Sequence, residues 1–327
     1  MQSSDASSQQ FPGKSLSMSG LYPATVTPFA DDGSIDMVAL ERHLTAVYRA
    51  PGVTGVVVNS GIGEILQLQP EEMVANIEVA QRVRGEGQLV IAGVEGHNPE
   101  RLIQAGLAAK AAGADALLIL PSFDRRAYRR LNAHAPSVRA LFERLNNEIG
   151  LPMVVFQYPN SSGSAYSIEA LEAIADLPHV VAVKTATEGH FDSYVEMWER
   201  LGDKMAVLVG VDSPPLIDML RHGSHGALIG ISAIATAKWG ELLALVAEGR
   251  SEEADALYRK VCLPLMEAVF QNQKPTSLMN EAAATKEALF QMGEIPSARA
   301  RFPAVHPVEA EKQNIAKALR AAGLIGA

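Results

Sequence analysis

Eight short apolar runs, separated by longer amphipathic stretches, constrain this chain more than any other feature. They are Tyr22–Thr27, Gly55–Asn59, Leu89–Val94, Ala116–Leu120, Met153–Gln157, Val180–Lys184, Met205–Gly210 and Ala227–Gly230. Each is about five residues long and rich in Val, Ile, Leu and Ala, as strands buried on both faces of a parallel sheet are. Successive runs begin about 20 to 37 residues apart, room for one helix between strands, so the chain reads as a series of βα units. Helix starts fall in the intervals: Asp36–Ala50 opens on an acidic residue, Pro70-Glu71-Glu72 on a proline, Pro99–Ala112 on an Asn98 cap, and Ser167–Leu177 on Ser-Ile-Glu-Ala.

Eight is the number of units that closes a barrel, so the predicted fold is α/β, a (β/α)8 TIM barrel. An open doubly wound sheet is the alternative, but no Gly-x-Gly-x-x-Gly follows the first run. The barrel is expected over residues 19–250. Residues 251–327 carry three more helical patterns, Glu252–Val269, Ala282–Met292 and Val308–Ala322, and are expected to form a helical extension packed on the barrel. Residues 1–18 are rich in Ser and Gln, lack the apolar core of a signal peptide, and read as a flexible arm.

Composition narrows the function. Hydrophobic residues make up 48% of the 327 and charged residues 20%, enough for a large core. No apolar run approaches the ~18 residues of a spanning helix. Net charge is −9, without a block of Lys or Arg, which argues against nucleic acid or an anionic membrane as partner. The one cysteine, Cys262, excludes a disulfide framework and Cys-based metal sites and suits the cytoplasm. The eight histidines show no metal-ligand spacing, so no metal site is expected. His222 and His225 read as residues at a helix C-terminus, and Asp212 as the cap of the helix that follows it.

Reactive groups of such a barrel belong at the C-terminal ends of its strands. Lys184 ends the run Val180-Val181-Ala182-Val183-Lys184. A lysine there is either a desolvated nucleophile, whose amine burial makes available for attack on a carbonyl, or a side chain that snorkels past the strand end. After the second run, Ser60-Gly61-Ile62-Gly63-Glu64 could present backbone N–H groups to a carboxylate or phosphate, or be no more than a tight turn.

In this order the pieces resemble the dihydrodipicolinate synthase / N-acetylneuraminate lyase family. The motifs are Thr27-Pro28-Phe29, Gly63-Glu64 with Leu66, Pro159 with Gly163, Val183-Lys184 with Thr185-Ala186-Thr187, Gly210-Val211-Asp212, and Gly226. The resemblance implies a TIM barrel, a homotetramer, and a Schiff base between Lys184 and a 2-oxo acid such as pyruvate. Where the family usually has Gly-Thr-Thr-Gly-Glu, this chain has Ser60-Gly61-Ile62-Gly63-Glu64; Phe156 and Phe123 stand at two positions usually tyrosine, and Ser161 at the arginine that holds the second substrate of the synthases.

Phenylalanine can neither donate nor accept a proton, so these departures argue against dihydrodipicolinate synthesis while leaving imine formation intact. The expected reaction is that of an aldolase or hydratase-aldolase that works without a cofactor. A 2-keto-3-deoxy sugar-acid dehydratase and a non-catalytic 2-oxo-acid-binding homologue are the alternatives, and a phosphate-binding isomerase fits least. Ser60, Gly61 and Ile62 are expected to hold the substrate carboxylate, with Phe156, Phe123 and Leu228 walling the pocket. Tyr158, two residues beyond Phe156 and on the same face, could replace the missing phenol as acid/base; Ser122, Gln157 and Asn59 are other candidates.

Overall fold

The computed structural model describes residues 11–121, 128–187, 190–270 and 278–326. Its eight strands are β1 (Gly20–Pro23), β2 (Gly55–Val58), β3 (Leu89–Val94), β4 (Ala116–Ile119), β5 (Met153–Gln157), β6 (Val180–Thr185), β7 (Ala206–Val209) and β8 (Gly226–Ile229). They form one sheet in the order β1-β8-β7-β6-β5-β4-β3-β2. Leu21 and Ala24 also bridge Val53 and Val57 in parallel, so the first strand meets the second as well. This is the (β/α)8 barrel that the spacing predicts. β1 differs from the expected Tyr22–Thr27: Pro23 has no N–H to donate, and beyond it the ladder thins to the Ala24 bridge with Val57 and a hydrogen bond from Ala24 N to Ile229 O.

Helices α1 (Met37–Arg49), α2 (Pro70–Val83), α3 (Pro99–Ala111), α4 (Ala135–Glu148), α5 (Ile168–Glu172), α6 (Phe191–Leu201), α7 (Leu216–His222) and α8 (Thr236–Ala247) alternate with the strands. Their starts follow from capping chemistry. Asp36, Asn98 and Ser167 accept from the backbone N–H groups of Ala39, Arg101 and Ala170, which would otherwise lack partners at a helix start. Beyond α8 the chain is helical through α9 (Ser251–Leu257), a π-helical turn (Tyr258–Cys262) and α10 (Leu263–Val269), then α11 (Glu281–Gln291) and α12 (Glu309–Ala321).

The chain divides into two compact units. The first comprises residues 1–20, 91–211 and 215–228; the second comprises 21–90, 212–214 and 229–327. The core of the first is the apolar ladder of β4–β7, where Val154, Val155, Ala182, Val183, Val207 and Leu208 are fully buried. Residues 11–18 are not part of a free arm, as their composition suggests, but dock in this unit. Phe11 and Met18 are buried, and Lys14 Nζ donates to the carbonyls of Ala175 and Leu177. The second unit buries Leu40 and Leu44 of α1, Ile77 and Ala80 of α2, Trp239 of α8 and Leu289 of α11. Among the described residues no helix is long and apolar enough to cross a membrane.

Candidate active site

In the first unit, strand register places Phe156, Lys184, Leu208 and Gly226 in one lateral row across β5, β6, β7 and β8. In-register residues of parallel strands face the same side of the sheet, and so do residues two further along. The next row toward the strand ends is therefore Tyr158, Ala186, Gly210 and Leu228. Lys184 is 7% exposed, so the alternative of an amine reaching out into bulk water fails. Its Nζ stands 3.9 Å from the centroid of the Phe156 ring. A ring face attracts a cation by about 0.5–2 kcal/mol, more as water is excluded. On the other side the lysine stem runs over Gly210, where a Cβ would lie 2.5 Å from Cγ of Lys184.

Tyr158 follows the last residue of β5 and is half-buried. Its ring meets that of Phe156 edge-on, 4.7 Å between centroids at 77°. Lys184, Phe156 and Tyr158 thus form one stack, with the phenylalanine ring touching both of the others. Gln157, an acid/base candidate by sequence, is committed elsewhere: its amide donates to Tyr166 O and accepts from Tyr166 N. Ser161 lies in an exposed turn, Asn160–Ser162, closed by Gly163 at φ 70°. A Cβ at Gly163 would be 3.7 Å from Cδ of Arg129, so a guanidinium stands beside that turn. Leu228 is fully buried in β8. Phe123 and Ser122 lie outside the described residues.

The loop after β2 belongs to the second unit. Its two ends are left-handed at residues other than glycine, Asn59 at φ 55° and Glu64 at φ 61°; asparagine visits that region readily, whereas glutamate stays there only where its surroundings hold it. Asn59 is held by its own side chain, which donates to Met73 O and accepts from Asn76; Asn76 also donates to Thr27 Oγ1, and Thr27 donates to Gly63 O. Asn59 is thereby a structural residue of the loop, not a proton carrier. A Cβ at Gly63 would be crowded by backbone, 3.0 Å from Ser60 N and 3.1 Å from Thr25 O. Gly61 is exposed with open space around it. Ile62 is buried, and the Ser60 hydroxyl is buried without a hydrogen-bond partner among the described residues. The Glu64 carboxylate, 3% exposed, accepts from Lys286 Nζ and from the Arg301 N–H.

Asp212 and His225 take places other than those their local sequence suggests. Asp212 does not cap α7; its carboxylate accepts from Gly230 N and Ile231 N, tying the loop after β7 to the loop after β8. His222 does end α7, but His225 lies beyond the helix as a core ring against Phe11 and Trp198. Burial pushes its pKa down to about 4, and its Nδ1 accepts from Val207 N. Burial likewise pushes the Cys262 thiol up to about 12, which removes it as a nucleophile near neutral pH. Among the described residues no group of three His, Cys, Asp or Glu side chains could hold a metal ion.

Three neighbours of these residues have no role that sequence alone assigns: Gly210 as the surface under the lysine stem, Arg129 beside Gly163, and Thr187, whose buried hydroxyl lacks a partner among the described residues. The Lys-Thr-Ala-Thr run and the Gly210-Val211-Asp212 motif carry the signal for two of them.

The model of the dihydrodipicolinate synthetase family matches residues 17–322. The 4-hydroxy-tetrahydrodipicolinate synthase of Moorella thermoacetica is 28% identical over 93% of this chain and 98% of its own length. An uncharacterized DapA-like lyase of Pyrobaculum neutrophilum is 30% identical over 76% of this chain and 80% of its own length. Among solved structures, the chloride-inhibited dihydrodipicolinate synthase of Acinetobacter baumannii, in complex with pyruvate, superposes with a TM-score of 0.81 at 25% identity, covering 94% of this chain and 100% of that one. The chain is a member of the dihydrodipicolinate synthetase family.

Proposed function

We propose that this protein is a class I lyase that binds pyruvate or a related 2-oxo acid as a Schiff base on Lys184. The observation that carries this reading is the seating of Lys184 between the Phe156 ring and Gly210, buried at the end of β6. In the reaction the neutral amine adds to the C2 carbonyl to give a carbinolamine. Loss of water from the carbinolamine gives a protonated imine. In a 4-hydroxy-2-oxo acid that cation draws electrons toward C3: as the C4 hydroxyl gives up its proton, C4 departs as an aldehyde, the C3–C4 electron pair stays behind as an enamine, and protonation at C3 followed by hydrolysis releases pyruvate or its homologue. The face of Phe156 supports the ammonium and the iminium alike, because both are cations.

The carboxylate of the oxo acid is assigned to the Ser60-Gly61-Ile62 turn, whose backbone N–H groups serve whatever the side chains are. Leu228 and Phe156 are assigned to the pocket wall. Tyr158 is assigned the proton transfers at C4, since Phe156 has no hydroxyl to supply them. The same substitution, with Ser161 in place of an arginine, favours an aldolase or hydratase-aldolase over dihydrodipicolinate synthesis. A homotetramer belongs to this reading and is checked by sedimentation.

The test is exchange of C3 protons in D2O across a panel of 2-oxo acids, followed by NMR. Exchange that disappears in Lys184→Ala supports the reading. Absence of exchange with every oxo acid would leave a binding homologue or a different chemistry.

A further inference from the structure

Glu64 closes the Ser60–Glu64 loop in a left-handed conformation, and its buried carboxylate is matched from a distant part of the chain. Lys286, in α11 and 0% exposed, donates to one carboxylate oxygen across a separation of 222 residues. The same ammonium donates to Arg299 O at 2.9 Å and stands 4.0 Å over the Phe29 ring. The N–H of Arg301 donates to the other carboxylate oxygen at 2.8 Å. The Arg301 guanidinium covers Phe29 at 4.2 Å, pairs with Glu72, and donates to Gln67 O just beyond the loop. All of these residues lie in the second unit.

From this juxtaposition we infer that Lys286 is a positioning residue for the oxo-acid carboxylate: by fixing Glu64 it holds the backbone N–H groups of Gly61 and Ile62 in binding geometry. The inference rests on the carboxylate role proposed for that loop. A buried carboxylate stripped of its cation must move toward water or take up a proton. Either change removes what keeps residue 64 left-handed, and the loop relaxes toward ordinary backbone angles. Lys286 needs no contact with substrate to act in this way. Its loss should weaken oxo-acid binding and leave the chemistry at Lys184 unchanged.

The experiment titrates pyruvate against borohydride-trapped adduct, read by intact mass, in the full-length protein and in Lys286→Met, Glu64→Gln and the double variant. Each single variant is expected to raise the half-saturating pyruvate concentration about tenfold, the scale of one hydrogen bond between charged groups. The adduct yield at saturation should stay within about twofold, and the double variant should cost no more than either single one. Glu64→Gln, which keeps the shape of residue 64, carries the test if Lys286→Met does not fold. Unchanged half-saturation, or single effects that multiply in the double variant, overturns the inference while leaving the Schiff base in place. A wild-type protein that traps no 2-oxo acid overturns both.

Discussion

Gly210 and Lys184 are packed so closely that a methyl group at residue 210 would lie 2.5 Å from Cγ and 3.0 Å from Cε of the lysine. The backbone carbonyl of Thr185 would be 2.9 Å away, so the conflict does not resolve by swinging the lysine tip alone. Gly210→Ala should displace the Lys184 stem. A shift of about 1 Å in a reacting group costs on the order of 10²-fold in rate. Rapid-quench borohydride trapping should show that slowing; an adduct formed at the wild-type rate would mean that the lysine does not depend on this surface.

Tyr158 touches Phe156 through its ring, at 4.7 Å between centroids, so removing only its hydroxyl preserves the packing. Tyr158→Phe should still form the imine with pyruvate. Turnover of the full substrate should fall by about 10² to 10⁴, the usual worth of general acid–base catalysis. Equal turnover in the variant and the wild type would move the proton transfers to another group.

Two glycines of the loop after β2 should respond oppositely to alanine. Gly61 has nothing within 4 Å of an added Cβ, whereas at Gly63 that atom would lie 3.0 Å from Ser60 N. Gly61→Ala should melt at the wild-type temperature. Gly63→Ala should lose about 1–3 kcal/mol to overpacking and melt several degrees lower. Differential scanning calorimetry checks both.

His43 and His225 set a pH dependence of stability. Burial pushes both pKa values down to about 4, with the Lys286 charge adding to the effect at His43. Histidines of the unfolded chain titrate near 6.5. Between these values the unfolded state binds protons that the fold does not. Their contribution is therefore fully present above about pH 6.5 and lost as pH falls toward 4, by up to ~1.4 kcal/mol per pH unit per ring. Melting temperatures should fall along that range, and His43→Leu should flatten the slope. A slope as steep in the variant as in the wild type would show that His43 does not contribute.

What is legible in the sequence is what acts over a few residues. Caps such as Asp36, Asn98 and Ser167 act on N–H groups three residues away, and the apolar runs of β3 and β5 are bounded within the chain itself. Lys184 stands out because a charge ending an all-apolar run contradicts its own neighbourhood. Residues whose partners lie far along the chain give no such signal. Asp212 resembles a helix cap because Ser-Pro-Pro follows it, yet its carboxylate serves Gly230 and Ile231. Glu64 is legible as a motif residue, but its partner Lys286 sits in an alanine-rich helix 222 residues away, where nothing local marks it. His225 follows a helix-ending pattern, and only the distant rings of Phe11 and Trp198 make it a core residue.

Catalysis as a Schiff-base lyase requires a covalent bond between the Lys184 amine and a 2-oxo acid. That bond is trapped by reducing the protein with borohydride in the presence of pyruvate, digesting it, and sequencing the modified peptide by mass spectrometry. A single reduced pyruvyl adduct on Lys184, absent from Lys184→Ala, is the predicted result. An adduct on another lysine, or none with any oxo acid in the panel, would rule out Lys184 as the Schiff-base lysine.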